Sequence, residues 1–365
     1  MCMIPENPFT PTFGEVPAYM AGRDIMLNNL RRAFSSSKRH PNLTTIITGA
    51  RGTGKTALLA QAANEAEQRG WIAVSTVALP GLLDDIYITA KRRASHLITR
   101  DPNVRIESIE FGGIGSVGLS HAEHETNWRN DMSGLLEELA QSDAGLLIIV
   151  DEVQPKLDEM IQLAAIYQLF VMEGRKVALL MAGLPNNMLA LEKDKSVSFL
   201  RRAQKMQLGP IPDFEVKEAF ERTVRDSGRT LAPTALSRAV DATGGFPFLM
   251  QLIGFRMWDQ HPGSTEITEE DAQAGIALAR AEFEDRILKT TYESISNGDK
   301  AFLDALVSLG GQATIRQIAE QMEKTGPYAT QYKNRLMGQG IVKDVAGIIC
   351  FQLPHMEAFV RDRQD

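Results

Sequence analysis

The order of apolar and polar positions divides the chain into a part in which strands alternate with helices and a later part of helices. Short runs of apolar and β-branched residues predict four strands, at 43–48, 71–77, 145–150 and 176–181. Helical patterns lie among them, at 56–68, 82–100, 127–140 and 155–173. The third strand is apolar throughout, which is typical of a central parallel strand that is covered on both faces. This alternation predicts an α/β fold with a doubly wound parallel sheet.

The pattern changes after Pro210 and Pro212, where only helices are predicted. They lie at 214–227, 232–242, 248–260 and 269–294. After the Asn297-Gly298 break, helices are predicted at 299–309, 314–323 and 328–337, and short strands at 341–343 and 348–351. A helix, a helix–turn–helix and a hairpin in this order predict a winged helix.

The first forty residues contain Pro5, Pro8, Pro11 and Pro17, and they are predicted to form an extended, turn-rich arm. The patterns together predict three domains. Residues 1–208 form the α/β core with its arm, residues 209–295 an all-α lid, and residues 296–365 the winged helix. The glycine-rich run 111–118 is predicted to be irregular strands or a mobile loop.

Length, composition and net charge limit the classes of protein to which the chain can belong. With 365 residues, of which 44% are hydrophobic, the chain is long enough for two or three globular domains. It contains no run of eighteen apolar residues and no secretory signal, so no membrane association is expected. Cys2 and Cys350 have no metal-ligand spacing, and a cytoplasmic location is predicted. The net charge of −7 argues against polyanion binding by the whole surface and leaves room for one local basic face.

The first candidate functional motif lies directly after the first predicted strand. Residues 49–56 read Gly-Ala-Arg-Gly-Thr-Gly-Lys-Thr and match the phosphate-loop pattern G-x-x-x-x-G-K-[ST], with the strand before and the helix after that it requires. Glycines let the backbone curl, so that successive N–H groups point inward at a polyanion. Lys55 is predicted to reach the β- and γ-phosphates, and Thr56 to ligate Mg²⁺. The predicted contacts of ATP are Gly49, Ala50, Arg51, Gly52, Thr53, Gly54, Lys55, Thr56 and Ala57.

A second half of such a site is predicted at the end of the strand 145–150. Asp151 follows the strand directly and is expected to support Mg²⁺, because ligands of open α/β sheets bind at the carboxyl ends of the strands. Glu152 comes next and could accept a proton from the attacking water or orient it. The alternative is an exposed acidic helix start, where Asp and Glu are also favoured.

These residues resemble the AAA+ superfamily, in particular its origin-recognition-like branch, and the neighbouring STAND class of signal-transducing ATPases. The resemblance implies that Gly22 and Arg23, in the segment Ala-Gly-Arg-Asp, lie near the adenine, although the segment could also be an ordinary turn. It implies that Asn186, or else Asn187, is the sensor 1 residue that contacts the γ-phosphate or the water. The alternative for this asparagine is to cap a short helix.

The resemblance also implies roles for arginines and for a lid turn. Arg202, or else Arg201, occupies the place of the arginine finger that acts on a neighbouring subunit; the alternative is a solvated basic helix face. The turn Gly-Gly-Phe-Pro-Phe at 244–248 resembles the STAND lid, in which the region of Pro247 packs near the nucleotide. The next arginine, Arg256, is too far along to match a sensor 2 residue, and this favours a slow switch over a fast motor.

The predicted winged helix suggests a target. The second helix of such a unit enters the DNA major groove, and 328–337 carries polar side chains suited to phosphate and base contacts. Residues 297–365 contain eight basic and eight acidic residues, however, whereas DNA readers usually show a basic excess. The leading hypothesis is an ATP-hydrolysing switch that acts on double-stranded DNA, like initiators or transposition helpers. The alternatives are a STAND-like regulatory or defence ATPase whose winged helix contacts protein or a second copy, and a nucleotide-binding protein that never hydrolyses ATP.

Overall fold

The protein is described as a computed structural model that covers residues 6–12, 14–98 and 121–364. The glycine-rich run 111–118 lies outside these residues. A five-stranded sheet in the order β2–β3–β4–β1–β5 forms the centre of the first part, and all its strands are parallel. Its strands are β1 Thr44–Gly49, β2 Trp71–Val77, β3 Gly145–Asp151, β4 Val177–Gly183 and β5 Gln204–Leu208. The parallel sheet confirms the predicted α/β fold.

Helices cover both faces of this sheet. They are α1 Asp24–Ser35, α2 Lys55–Glu67, α3 Leu82–Ile98, α4 His121–Gln141, α5 Asp158–Met172 and α6 Pro185–Lys193. Successive residues of a strand point to opposite faces, so Ile47 packs with α1 and α2, and Ile46 packs with the cluster of α3, α4 and α5. The sheet is therefore buried on both sides, and the edge at the carboxyl ends of its strands is available for a site.

Two features of this part differ from the sequence prediction. The arm ends earlier than predicted, because Asp24–Ser35 is a helix whose buried residues Leu27, Leu30, Ala33 and Phe34 form one apolar face. The prolines precede that helix and do not interrupt it. The edge strand β5 was not predicted, because Gln204, Lys205 and Gln207 are exposed and only Met206 and Leu208 are buried.

A helical segment follows, and its helices lie close to the predicted positions. They are α7 Asp213–Asp226, α8 Pro233–Thr243, α9 Pro247–Trp258, α10 Glu269–Phe283 and α11 Thr290–Glu293. A π-helical turn, Glu284–Lys289, separates the last two, where one helix was predicted. The segment is not purely helical, because β6 Thr230–Leu231 and β7 Glu266–Ile267 pair in parallel.

The C-terminal segment combines four helices with a small antiparallel sheet in the order β8–β10–β9. Its elements are α12 Asn297–Ser308, β8 Gln312–Thr314, α13 Ile315–Gln321, α14 Gly326–Gly338, β9 Val342–Val345, β10 Ile348–Phe351 and α15 Met356–Arg361. The hairpin between β9 and β10 turns through Ala346 and Gly347, which both have positive φ. Strand β8 and helix α15 were not predicted from the sequence.

The helical and C-terminal segments share one hydrophobic core. Phe283 lies edge-on to His355, with ring centroids 6.4 Å apart, and Tyr292 lies edge-on to Phe359 at 5.7 Å. Phe9 of the arm belongs to the same core, where it packs on Phe220. In the described part of the chain, no helix has the length and apolar character needed to cross a bilayer.

Candidate functional site

The phosphate loop lies at the carboxyl end of β1 and runs into α2. Gly52 and Gly54 have φ of +78° and +83°, a left-handed conformation that favours glycine. A Cβ at Gly49 would lie 2.5 Å from Thr53 Oγ1, so the loop also needs glycine where it leaves the strand. The first turn of α2 points its free backbone N–H groups at this loop, which makes the loop an anion-binding site.

Lys55 occupies the centre of the loop. Its ammonium donates hydrogen bonds to the carbonyl oxygens of Gly49, at 3.0 Å, and Ala50, at 2.8 Å. Burial lowers the pKa of Lys55 from its ordinary value, while Asp151 and Glu152 act in the opposite direction. Among the described residues, the hydrogen-bond acceptors of this ammonium are these two neutral carbonyls, and a bound anion would compensate its charge.

Thr56 and Asp151 meet although β1 and β3 are not neighbours in the sheet. The Thr56 hydroxyl donates to Asp151 Oδ2 at 2.6 Å, and Asp151 Oδ1 accepts from the backbone N–H of Glu152 at 2.8 Å. A hydroxyl beside one carboxylate fits Mg²⁺, which is commonly bound by one or two carboxylates together with substrate phosphates. Glu152 is exposed and has a φ of +51°, an unusual conformation for a residue other than glycine.

The two asparagines after β4 have different partners. Asn187 Nδ2 donates to the carbonyl of Val153 at 3.0 Å, so this residue supports the loop after β3. Asn186 is exposed, and its Nδ2 donates to the carbonyl of Arg335 in α14 at 3.3 Å. Neither side chain caps α6, whose N-cap is Leu184 without a side-chain hydrogen bond.

Arg23 lies beside the phosphate loop at the start of α1, whereas Gly22 before it faces Ile211 and Glu215. The buried Arg23 guanidinium donates to the carbonyls of Thr53, at 3.2 Å, and Gly209, at 3.1 Å, and burial lowers its pKa. The arginine therefore ties the loop to the segment after β5. A narrow, mainly apolar pocket opens next to it, lined by residues that include Arg23, Ala57, Tyr19, Ile211, Pro247 and Met250.

The first turn of α9 closes this pocket from the side of the helical segment. A Cβ at Gly54 would lie 3.6 Å from Pro247, and the N–H of Phe248 donates to the carbonyl of Gly52 at 3.3 Å. Pro247 is thus brought to the phosphate loop. Tyr19, Ile211 and Met250 were not among the predicted site residues, because an apolar pocket wall has no sequence signature apart from its proximity to a recognised motif.

The C-terminal segment also reaches the phosphate loop. Gly340 lies against Ala50 so closely that a Cβ there would overlap the alanine methyl, and a Cβ at Gly338 would overlap the side-chain amide of Asn186. Gly340 lies two residues after α14 and has a φ of +74°, which is common just beyond a helix. A second pocket lies at this contact, lined by residues that include Ala50, Arg51, Leu184, Gln339 and Leu353. We call the contact of Gly338 and Gly340 with Asn186 and Ala50 the docking contact.

The predicted arginines do not join this site. Arg202 is exposed and lies two residues before the start of β5, at the amino edge of the sheet, about 15–20 Å from the phosphate loop at 3.3 Å per strand residue. Arg201 donates to the carbonyl of Glu192 at 3.0 Å. Arg256 forms an ion pair with Glu282 of α10, within the helical segment and not at the phosphate loop.

Two parts of the chain match known families. Residues 19–181 match the family described as AAA ATPase domain, and residues 285–360 match a domain of unknown function, DUF8462. No curated protein matches the chain.

Solved structures share its fold at low sequence identity. The Aeropyrum pernix ORC2 protein, solved as ADPNP–ADP complexes, is 14% identical with a TM-score of 0.67, covering 97% of this chain and 98% of its own. A Walker-type ATPase of Pyrococcus abyssi is 14% identical with a TM-score of 0.66, and the coverage is 94% and 96%. Cdc6p from Pyrobaculum aerophilum is 17% identical with a TM-score of 0.51, covering 96% of each chain.

Proposed function

We propose that the chain is an ATP-hydrolysing switch whose C-terminal segment acts on DNA, because residues 19–181 match an AAA ATPase domain and the chain has the fold of origin-recognition ATPases. The observation that carries the proposal is that four parts of the chain meet at one edge of the sheet. The loop of Asp151, the first turn of α9 and the end of α14 each contact the phosphate loop there.

The proposal assigns a role to each site residue at the carboxyl edge of the sheet. The backbone of residues 49–57 and the Lys55 ammonium hold the phosphates, and the pocket between Arg23 and Pro247 takes the adenine. Thr56 and Asp151 would hold Mg²⁺, and the bound ion would neutralise charge on the phosphate oxygens. Glu152 accepts the proton of the attacking water, and Asn186 orients that water or the γ-phosphate.

Arg202 is proposed to act on a neighbouring copy. Its distance from the phosphate loop of its own chain rules out a role there, whereas its exposure at the amino edge leaves it available to a second subunit. An arginine that completes the site in trans contributes about 10³–10⁵ in rate in related systems. This role implies self-association in the active state.

The docking contact makes the C-terminal segment the responsive part of the switch. We propose that Asn186 gives up its hydrogen bond to Arg335 when it orients the γ-phosphate or water, so that ATP binding competes with docking of α14. The helical and C-terminal segments share one core and contact the loop at two points, Pro247 and Gly340. We propose that nucleotide binding at the site moves these two segments together relative to the core. The chain then has three domains, residues 1–208, 209–295 and 296–365.

The C-terminal segment is proposed to be a winged helix with α14 as its DNA-reading helix. Tyr328, Gln331 and Asn334 are exposed on this helix. Lys324 and Lys343 are also exposed, and among the described residues neither has a carboxylate within ion-pair distance. Polar side chains for base edges and two free lysines for phosphates form a small DNA-binding surface.

The same surface supports the second candidate, a STAND-like regulator that contacts protein. Lys333 is paired with Asp344 at 3.1 Å, and Arg335 with the buried Asp299 at 2.8 Å. Two of the basic side chains of α14 are therefore neutralised within the segment. This pairing reduces the charge that is available to DNA.

Titration with duplex DNA at several salt concentrations separates the two candidates. If α14 binds DNA, affinity falls linearly with salt on a double-logarithmic plot, and Lys324→Ala and Lys343→Ala each reduce the slope by about 1. Lys217→Ala, an exposed lysine on α7, is the matched control and leaves the slope unchanged. Absence of binding at low salt would favour the regulator, and ATPase assays with and without DNA would show whether the two activities are coupled.

Binding of ATP is expected to take up a fraction of a proton at alkaline pH. The pKa of Lys55 is lowered in the free chain, and the phosphates raise it again, so Lys55 is protonated on binding at a pH between the two values. Affinity for ATP therefore falls as pH rises through the lowered pKa. Calorimetry in two buffers of different ionisation enthalpy measures the uptake.

The control for this prediction is Lys55→Arg, since an arginine stays charged throughout the range and takes up no proton. Uptake that grows from neutral pH upward, to at most about one proton, is expected only with lysine. Equal uptake in both chains would assign the proton to another group and contradict the prediction.

A further inference from the structure

A second basic cavity lies on the side of the sheet remote from the phosphate loop. It has a volume of about 570 Å³ and is formed where β1, β2 and β4 begin, together with the turn after α1. Its wall contains five cationic side chains, Lys38, Arg39, Arg69, Arg175 and Lys176, and one carboxylate, Asp143. We propose that this cavity is a binding site for a phosphate group, separate from the ATP site.

The position of the cavity makes it independent of the ATP site. Strands β1, β2 and β4 are parallel, so their amino ends lie at one edge and the phosphate loop at the other, roughly 20 Å apart for strands of this length. The residues that line the cavity are not those of the phosphate loop. A ligand here would therefore not compete for the contacts of the ATP phosphates.

Two of the cations have no carboxylate partner among the described residues. The Arg39 guanidinium donates to the carbonyl of Val177, at 3.1 Å, and to the hydroxyl of Tyr167, at 2.7 Å, both neutral acceptors that fix its position. Lys38 is exposed on the turn after α1. Both charges are therefore available to an anion.

The remaining three cations are only partly neutralised. Lys176 pairs with Asp143 at 3.0 Å, but the Asp143 side chain is 97% exposed, and such surface pairs contribute little. Arg69 shares Glu65 with Arg31. Arg175 bonds to Glu137 at 2.6 Å and to Glu173 at 3.5 Å, and Glu173 also pairs with Arg129. Shared acids leave a net positive wall in a chain whose total charge is −7.

The size and donors of the cavity fit a phosphate ester. Its volume lies within the range of about 300–1,000 Å³ that is usual for small-ligand pockets. Guanidinium groups bind phosphate oxygens through paired N–H donors, and the ammonium groups add point charges. Ser35 and Ser37, which are exposed on the wall, provide further hydroxyl donors. The phosphate could belong to a free ester or to the backbone of a nucleic acid, and the two sources share this chemistry.

The test uses the full chain in a Lys55→Ala background, which removes the ammonium of the phosphate loop. Pyrophosphate and a short duplex DNA are titrated separately by calorimetry at low and physiological salt. At least one probe should bind, and Lys38→Glu should weaken it about tenfold, because a favourable charge next to the phosphate becomes a repulsive one. Lys38→Arg keeps the charge and should keep the binding.

Lys217→Glu is the matched control, since it makes the same charge reversal at an exposed lysine of α7, and it should leave affinity unchanged. Binding of pyrophosphate shows that a small phosphate compound is sufficient, and binding of DNA alone identifies a nucleic acid backbone. If neither probe binds, or if Lys38→Glu and Lys217→Glu weaken binding equally, the proposal is overturned. Lys38 lies on an exposed turn, so loss of folding does not complicate the result.

Discussion

Replacing Glu152 with Gln is expected to leave ATP bound and to lower its turnover by a factor of about 10² to 10⁴, the usual contribution of a general base. The amide has the shape of the carboxylate but cannot accept the proton of the attacking water. The backbone of residue 152 is held by Asp151, which accepts its N–H at 2.8 Å, and this bond persists in the variant. Steady-state phosphate release measures turnover, and calorimetry measures the affinity for ATP.

A matched substitution separates this effect from a general loss of charge. Glu138 is exposed on α4, and among the described residues it has no ion-pair partner, so Glu138→Gln should keep full activity. Undiminished turnover in Glu152→Gln would remove this residue from the mechanism. Loss of ATP binding in the same variant would instead indicate a structural role, because the proposal keeps Lys55, Thr56 and Asp151 unchanged.

Gly338→Ala is expected to break the docking contact. A Cβ at this position would overlap the Asn186 amide, and such overpacking costs about 1–3 kcal/mol. That energy would shift the balance between docked and undocked C-terminal segments by roughly 5- to 150-fold. Fluorescence energy transfer between dyes on the core and on the C-terminal segment measures the shift. Under the proposed function, DNA affinity and ATP turnover should rise with it.

Two controls sharpen this prediction. Gly326→Ala is made at the start of the same helix, where a Cβ meets no neighbour, so it should not change docking. Adding Asn186→Ala to Gly338→Ala removes the overlapping side chain and should restore part of the docking, although the hydrogen bond to Arg335 is lost. If Gly338→Ala and Gly326→Ala gave the same energy transfer as the unmodified chain, the docking contact would have no part in the switch.

Much of the core and its loop could be predicted because their signals are local. The phosphate loop needs glycines and a lysine at fixed spacing, and the buried strands are apolar along their whole length. Helix α1 was missed because the prolines before it dominate the local composition. Strand β5 was missed because an edge strand with one exposed face resembles a polar loop when it is only five residues long.

The docking contact could not have been predicted, because it depends on pairs far apart in the chain. Gly338 and Gly340 are ordinary residues for the end of a helix, where glycine is common. Their closeness to Asn186 and Ala50 follows only from how the C-terminal segment is placed on the core. Likewise, the predicted finger Arg202 could be located only after the register of β5 against β1 was known.

The arm has a mechanical consequence. Phe9 packs against Gly254 of α9, and the Thr10 N–H donates to Gln251, so the chain joins the helical segment at the arm as well as at the Pro210–Pro212 linker. A rigid body attached at two points rotates about the line between them and has one principal direction of motion. In the proposed switch, the helical segment would therefore rotate about a single axis, and cutting the arm would allow it a wider range of orientations.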